Sequence, residues 1–281
     1  MMRDYEIKSI QNLINIALAE DIGPGDVTSS AILTGNEIGI AQAIAKSDMV
    51  VAGLEVFREV FHAVDSDLTF TTIVTDGEYV AEGTSLAQLG GKLKAILMAE
   101  RVALNLFQRM CGIATASRQY VKAVEGTKAK ILDTRKTSPC LRILDKYAVR
   151  VGGASNHRFA LYDGVLIKDN HIAAAGGISA AIGRARQRIP HTVKIEIEVK
   201  NIEELEQAVA AGVDVILLDN MSLSDMSKAV ELVRGRIPLE ASGGVSLSTV
   251  RAIAETGVDF ISVGALTHSV MAADISLMIQ S

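Results

Sequence analysis

The chain has 281 residues, of which 49% are hydrophobic and 22% charged, the balance of a globular protein able to bury a large core rather than of a disordered one. A formal net charge of −5 without a basic tract excludes a nucleic-acid surface built on charge, and the absence of tryptophan with only 4% aromatic residues leaves little on which bases would stack. No apolar run approaches the roughly 20 residues that span a bilayer, MMRDYEIKS has no apolar signal core, and Cys111 and Cys140 show no paired spacing of a zinc motif or disulfide framework, so the cytoplasm is the expected setting.

Residues 7–20 place Ile7, Ile10, Leu13, Ile14, Ala17 and Leu18 at helical spacing and predict a first helix, closed by the loop DIGPGD. Between residues 38 and 90, an alternating run (Leu68, Phe70, Thr72, Val74) and the amphipathic stretch LEVFREVFHAV predict a helix packed on a sheet in a mixed α/β domain. The pattern is helical again from Lys92 to about Val124, with Gly112 in CGIAT as a break between domains. Short apolar strands then alternate with helix-length segments: KILD, GVLIK, KIEIEVK, DVILLD, PLEAS and DFISVG, with AVRVGG as a candidate seventh. Strands spaced in this way imply right-handed βαβ units and a parallel sheet, read here as a small or open α/β barrel.

In parallel α/β folds the site lies beyond the carboxyl ends of the strands. The residues found there are Asp133-Thr134-Arg135-Lys136, Lys168-Asp169-Asn170, Glu198, Asp219-Asn220, Ser242-Gly243-Gly244 and Gly264-Ala265. Within KIEIEVK, period two sends Lys194, Glu196, Glu198 and Lys200 to one face and Ile195, Ile197 and Val199 to the other. A covered parallel strand avoids such a pattern unless the charges are paired or wetted at a site; the alternative is an exposed edge strand. SGGV and VGAL put small residues between a late strand and a helix, where backbone N–H groups and a helix N-terminus can meet a phosphate.

A second anion is expected from the cations. Arg135 and Arg158 offer planar forks for carboxylate or phosphate, and Lys136 and Lys168 act as point charges. Opposite them Glu198 and Asp219 form an acidic side suited to Mg²⁺ or sugar hydroxyls. His157 and His171 stand out only through their neighbours, whereas His62, His191 and His268 read as background. Arg142, Asp145, Lys146 and Arg150 have the spacing of a solvated helix face, and Cys140 reads as inert packing.

The stretch LDTRKTSPCLRILDKYAVRVGGASNHRFALYDGVLIKDNHI resembles the signature of the quinolinate phosphoribosyltransferase family, also called nicotinate-nucleotide pyrophosphorylases. The similarity extends from EDIGPGDVTS through AERVALNLFQRMCGIAT to EIEVKNIEEL, ILLDN, EASGGV and ISVGALTHS; Cys140 departs from it, the family usually having glycine there in TTPGLR. The resemblance implies an N-terminal α/β sandwich domain (1–111, with 269–281 packing back on it) and an incomplete six- or seven-stranded parallel α/β barrel (112–268). It also implies a homodimer, or a higher oligomer built from it, with active sites shared between subunits. The implied reaction joins quinolinate to phosphoribosyl pyrophosphate with Mg²⁺, giving nicotinate mononucleotide, pyrophosphate and CO₂ at the entry of de novo NAD synthesis.

Carried over residue by residue, Thr134, Arg135, Lys136, His157, Arg158 and Lys168 line the substrate anions, and Arg101, which periodicity alone reads as helix surface, comes from the neighbouring subunit. Glu198 and Asp219 lie near the ribose and the metal, and Ser242, Gly243, Gly244, Val263, Gly264 and Ala265 bind the 5′-phosphate. Lys136, Lys168, Glu198 and Asp219 form the expected catalytic set. Three rival readings compete: a ModD-like paralogue associated with molybdate transport, a Schiff-base aldolase with Lys168 as nucleophile, and a non-catalytic anion-binding protein. NHR followed by IKDNH favours the quinolinate enzyme.

Overall fold

The computed structural model describes residues 4–280, the side chains of residues 4 and 5 apart. The chain divides into two compact units, one made of residues up to Arg118, Ser138–Gly153 and those from Val270 on, the other of Gln119–Thr137 and Ala154–Ser269.

The first unit opens with α1 (Asp4–Ile22), whose Ile10, Ile14 and Leu18 are buried one turn apart while the intervening positions are wet. Asp26 caps α2 (Val27–Ile32) by accepting from the Ser29 N–H. After β1 (Ile38–Ala45) and β2 (Met49–Val50) comes α3 (Leu54–Val64), which buries Leu54, Val56, Phe57, Val60 and Phe61. β3 (Thr69–Thr72), β4 (Tyr79–Val80) and β5 (Ser85–Lys92) lead into the long α4 (Leu93–Ala123). Phe57 joins these elements: it meets Phe61 and Phe70 edge-on and stacks on Phe107 at a centroid distance of 4.7 Å. The helix is not interrupted at Gly112. α4 runs straight through it, because the glycine serves close packing: a Cβ there would collide with the Met271 carbonyl.

β6 (Lys130–Leu132) begins the sheet of the second unit, after which the chain returns to the first unit for α5 (Arg142–Val151). AVRVGG is therefore helix and turn, not a seventh strand. Of the face expected to be solvated, Asp145 and Lys146 are buried, 0% and 1% exposed, while Arg142 and Arg150 are half-buried. Arg109 of α4 makes that burial tolerable by donating Nε and Nη2 to the two Asp145 oxygens at 2.9 and 2.8 Å. Cys140, just ahead of α5, is exposed rather than packed and has φ 65, a left-handed conformation in which the glycine of the resembling motif would be unstrained.

Strand and helix then alternate through β7 (Val165–Ile167), α6 (Asp169–Ala175), α7 (Ile178–Arg188), β8 (Ile195–Val199), α8 (Ile202–Ala210) and β9 (Val215–Asp219). α9 (Leu223–Val233), β10 (Leu239–Ser242), α10 (Val250–Glu255), β11 (Phe260–Ser262) and α11 (Ala265–His268) complete the unit. All six expected strands are present and parallel, in the order β6–β11–β10–β9–β8–β7. The barrel is incomplete between β6 and β7, where β6 carries only a bridge from Leu132 to Ser155. Finally β12 (Ile275–Gln280) rejoins the first unit, pairing antiparallel with β1 in a sheet ordered β12–β1–β5–β3, while β2 and β4 form a separate pair.

Removing one partner of the Arg109–Asp145 pair leaves a poorly solvated charge, Arg109 being only 20% exposed. Asp145→Ala is expected to lower the unfolding free energy by about 3 kcal/mol in urea denaturation. A loss of about 0.5 kcal/mol or less would show that the pair contributes no more than an ordinary surface substitution.

Candidate active site

The carboxyl ends of the parallel strands open on one cavity of about 560 Å³. Its lining brings together Thr134, Arg135 and Lys136 after β6, His157 and Arg158, Lys168 after β7, Glu198 of β8, Asp219 ending β9, and Ser242, Gly243 and Gly244 at β10. Other expected residues lie apart. Arg101 sits on α4 with its side chain 58% exposed and its guanidinium 3.9 Å from Glu100. Val263 is fully buried and its N–H donates to the Leu132 carbonyl. Gly264 and Ala265 lead into α11 beside the cavity; a Cβ on Gly264 would stand 3.2 Å from Cδ of Lys136 and 3.1 Å from Nε2 of His268, so that histidine, read as background, borders the lysine.

Asp133 positions the cationic wall. Fully buried, its carboxylate accepts from the His157 N–H at 2.8 Å and from Asn156 Nδ2 at 2.7 Å. Together with the Leu132–Ser155 bridge, these bonds lay residues 155–157 along the edge of β6 and bring His157 and Arg158 to the cavity. Thr134 Oγ1 accepts from the Lys136 N–H, and the Lys136 carbonyl accepts from Thr267 Oγ1 at 2.9 Å, which ties the DTRK turn to α11. Arg158 donates Nη1 to the Gly164 carbonyl at 2.7 Å, but its Nε is buried with no hydrogen-bond partner. Burial first, and then the Arg135 guanidinium, lower the pKa of Arg158. A wall carrying two mutually repelling guanidinium groups, one with an unmet buried N–H, is relieved by an anion.

The acidic side comes from β8 and β9. Ile195, Ile197 and Val199 are fully buried, as the alternation requires, and β8 lies between β7 and β9, so it is not an exposed edge strand. Glu198 Oε2 accepts from Lys168 Nζ at 2.8 Å, and Lys200 reaches Asp169 at 3.2 Å on the surface. Asp219 Oδ1 accepts from Asn220 Nδ2 at 2.9 Å. The Asn220 amide fills the space where a Cβ at position 243 would stand, and with φ 98 there as well, only glycine fits. The helix expected after SGG does not begin there: α10 starts at Val250, so Gly243 and Gly244 present their backbone to the cavity without a helix terminus behind it. The carboxylate oxygens of Glu198 and Asp219 are the donor type that holds Mg²⁺, so the residues present fit such an ion.

Two polar lining residues are not among those singled out from the sequence, Glu240 and Ser262; the apolar Leu166 and Leu217 are the others. Both polar residues lie on strands whose clearest sequence signal is the small residues that follow them. The signal was available for Glu240, which stands two positions before Ser242 and therefore shares its face.

Comparison with known proteins follows the same lines. Residues 113–278 match the family described as quinolinate phosphoribosyl transferase, C-terminal domain, and residues 26–111 match its N-terminal domain. The chain is 46% identical over 268 residues to a probable nicotinate-nucleotide pyrophosphorylase [carboxylating] of Bacillus subtilis, covering 95% of this chain and 92% of that protein. It is 41% identical over 296 residues to quinolinate phosphoribosyltransferase [decarboxylating] 1b of Nicotiana tabacum, covering 99% of this chain and 83% of the other. Among solved structures, the nicotinate-nucleotide pyrophosphorylase from Francisella tularensis superposes with a TM-score of 0.93 at 41% identity, over 97% of this chain and 96% of that one. From the paired family matches, these relatives and the strand-end cavity, the chain belongs to the quinolinate phosphoribosyl transferase family.

Proposed function

We propose that this chain is a decarboxylating quinolinate phosphoribosyltransferase, converting quinolinate and phosphoribosyl pyrophosphate to nicotinate mononucleotide, pyrophosphate and CO₂. The observation that carries this reading is the two-sided charge of the cavity, with Arg135, Lys136 and Arg158 on one side and Glu198 and Asp219 on another. The first set matches a substrate bearing two carboxylates, and the second a sugar that becomes cationic. The Bacillus subtilis and Nicotiana tabacum relatives carry the names of this activity, and none of the relatives quoted above carries the molybdate association.

Departure of pyrophosphate leaves an oxocarbenium-like ribose. Glu198 and Asp219 stabilise it through their field or by orienting its hydroxyls. The guanidinium and ammonium groups hold the pyridine dicarboxylate in line with C1 of the sugar, so positioning meets much of the barrier. Once glycosylated, the ring nitrogen is cationic and accepts the electron pair left when the 2-carboxylate departs as CO₂; C2 then takes up a proton. Lys168 is engaged in an ion pair with Glu198, which suits charge balance better than Schiff-base attack.

Mg²⁺ belongs to this proposal, held on the Glu198 and Asp219 side and through the substrate, where it would neutralise the departing pyrophosphate. So do a homodimer in which Arg101 serves the neighbouring subunit's site, a 5′-phosphate held at the Ser242–Gly244 and Val263–Ala265 turns, and a cytoplasmic setting. The exposure of Arg101 on α4 supports a role outside its own cavity, and no described helix is long and apolar enough to cross a membrane.

Purified protein with quinolinate, phosphoribosyl pyrophosphate and Mg²⁺ is expected to release CO₂ and nicotinate mononucleotide in equal amounts; no product, or equal turnover of nicotinic acid, would sink the reading. Arg158→Ala is expected to weaken quinolinate mainly through KM, by roughly 2 kcal/mol for a lost charged hydrogen bond. Mixed Arg101→Ala and Lys136→Ala subunits, each inactive alone, should regain partial activity, and proven heterodimers without any rescue would count against Arg101 acting across subunits.

A further inference from the structure

His157 and Glu240, which line the cavity, meet Glu196 from a third element. Glu240 of β10 is 2% exposed and Glu196 of β8 is 8% exposed. His157 Nε2 lies 2.9 Å from Glu196 Oε2 and 3.7 Å from Glu240 Oε1, and ligand-type atoms of all three fall within 4.8 Å of one another. A cluster of this composition can bind a metal ion, but here the imidazole is already committed. The Arg158 N–H donates to His157 Nδ1 at 2.7 Å, so in the neutral ring Nε2 carries the hydrogen and has no lone pair to offer a cation.

The carboxyl groups pose a sharper problem. Glu196 Oε1 and Glu240 Oε1 are both buried acceptors without a donor, although the two side chains stand within hydrogen-bonding range of each other. Two ionised carboxylates so placed repel strongly in a poorly solvated floor, and a proton on one of them supplies the missing donor. Glu196 has the His157 N–H at 2.9 Å and the field of Arg158 to balance its charge. Glu240 has less. Facing it are Glu196 from β8, His157 from the segment along β6, and the Ser262 hydroxyl from β11, while β9 presents only Leu217. Desolvation, followed by the Glu196 charge, pushes the pKa of Glu240 up to about 8.

We propose that Glu240 acts as a neutral carboxylic acid hydrogen-bonded to Glu196, a positioning residue that holds the cavity floor at a single negative charge, and that its ionisation weakens binding of the anionic aromatic substrate. The inference rests on the substrate reading above. With Glu240 neutral, Arg135, Lys136, Arg158 and Lys168 answer the carboxylates of Asp133, Glu196, Glu198 and Asp219; ionised Glu240 adds one more negative charge where an anionic ligand must bind. The sign is set by the direction of the shift: affinity is full below the raised pKa and falls as pH rises through it.

The test is calorimetric binding of quinolinate, whose own carboxylates titrate well below the range used. Between about pH 7 and about pH 9 the wild-type dissociation constant is expected to rise about tenfold. Glu240→Gln keeps the shape, donates an N–H to Glu196 and is expected to retain binding while losing that rise. Glu240→Ala, with neither donor nor packing, should bind weakly at every pH. A rise of the same size in Glu240→Gln, or none in the wild type, would overturn the proposal.

A readout without ligand separates this inference from the substrate reading. Difference infrared spectra of the free protein across the same pH range should show a protonated-carboxyl C=O band that titrates in the wild type and is absent from Glu240→Gln. If the band titrates but quinolinate does not bind, the substrate assignment fails and the neutral Glu240 stands. If the band is missing, the inference fails whatever the protein turns over.

Discussion

Two glutamates on the inward face of β8 must be compensated inside a parallel sheet, and much of the second unit is arranged around that requirement. Glu196 and Glu198 alternate with Ile195, Ile197 and Val199, so the register that buries the aliphatic residues also commits the carboxylates to the interior. An uncompensated buried charge is costly, and each glutamate draws its partner from a different element: His157 from the segment along β6 and Lys168 from the end of β7. Those partners need supports of their own. Asp133, wholly buried, holds the chain that carries His157 and Arg158, so a residue outside the cavity lining determines where the cations stand.

The result is a cavity whose walls are incompletely satisfied by design of the fold. Arg158 has a buried Nε without a partner and a pKa lowered by burial and by Arg135, while Glu240 and Glu196 hold oxygens without donors. Such groups are expensive in a folded protein and persist where a ligand or a proton completes them. The first unit shows the contrasting solution. There Arg109 and Asp145 satisfy each other bidentately.

Periodicity carried the reading of the fold where one element settles its own environment. The six strands of the parallel sheet and the helices α1 and α3 follow from spacings of two and three to four, which no distant contact reverses. The failures share a cause. Gly112 looked like a helix break because glycine is a weak helix former, yet it is kept for the close approach of the Met271 backbone. The charged face of α5 looked solvated because spacing tells which residues share a face, not what covers it. SGG looked like a strand-to-helix turn, but Ser246 and Thr249 form a hydrogen-bonded turn after it, and α10 begins only beyond them.

What the sequence determined by itself was the succession of strands along the chain and the set of residues at their carboxyl ends, since both depend on short-range alternation. Glu198, Asp219, Arg135, Lys136 and Lys168 were legible in that way. Tertiary structure alone decided how their charges are shared. The pairing of His157 with Glu196, the closeness of Arg135 to Arg158 and the closeness of Glu240 to Glu196 depend on strands far apart in the chain lying side by side. Desolvation and distance, which set the strength and sign of those interactions, are properties of the packed sheet and cannot be read from composition or spacing.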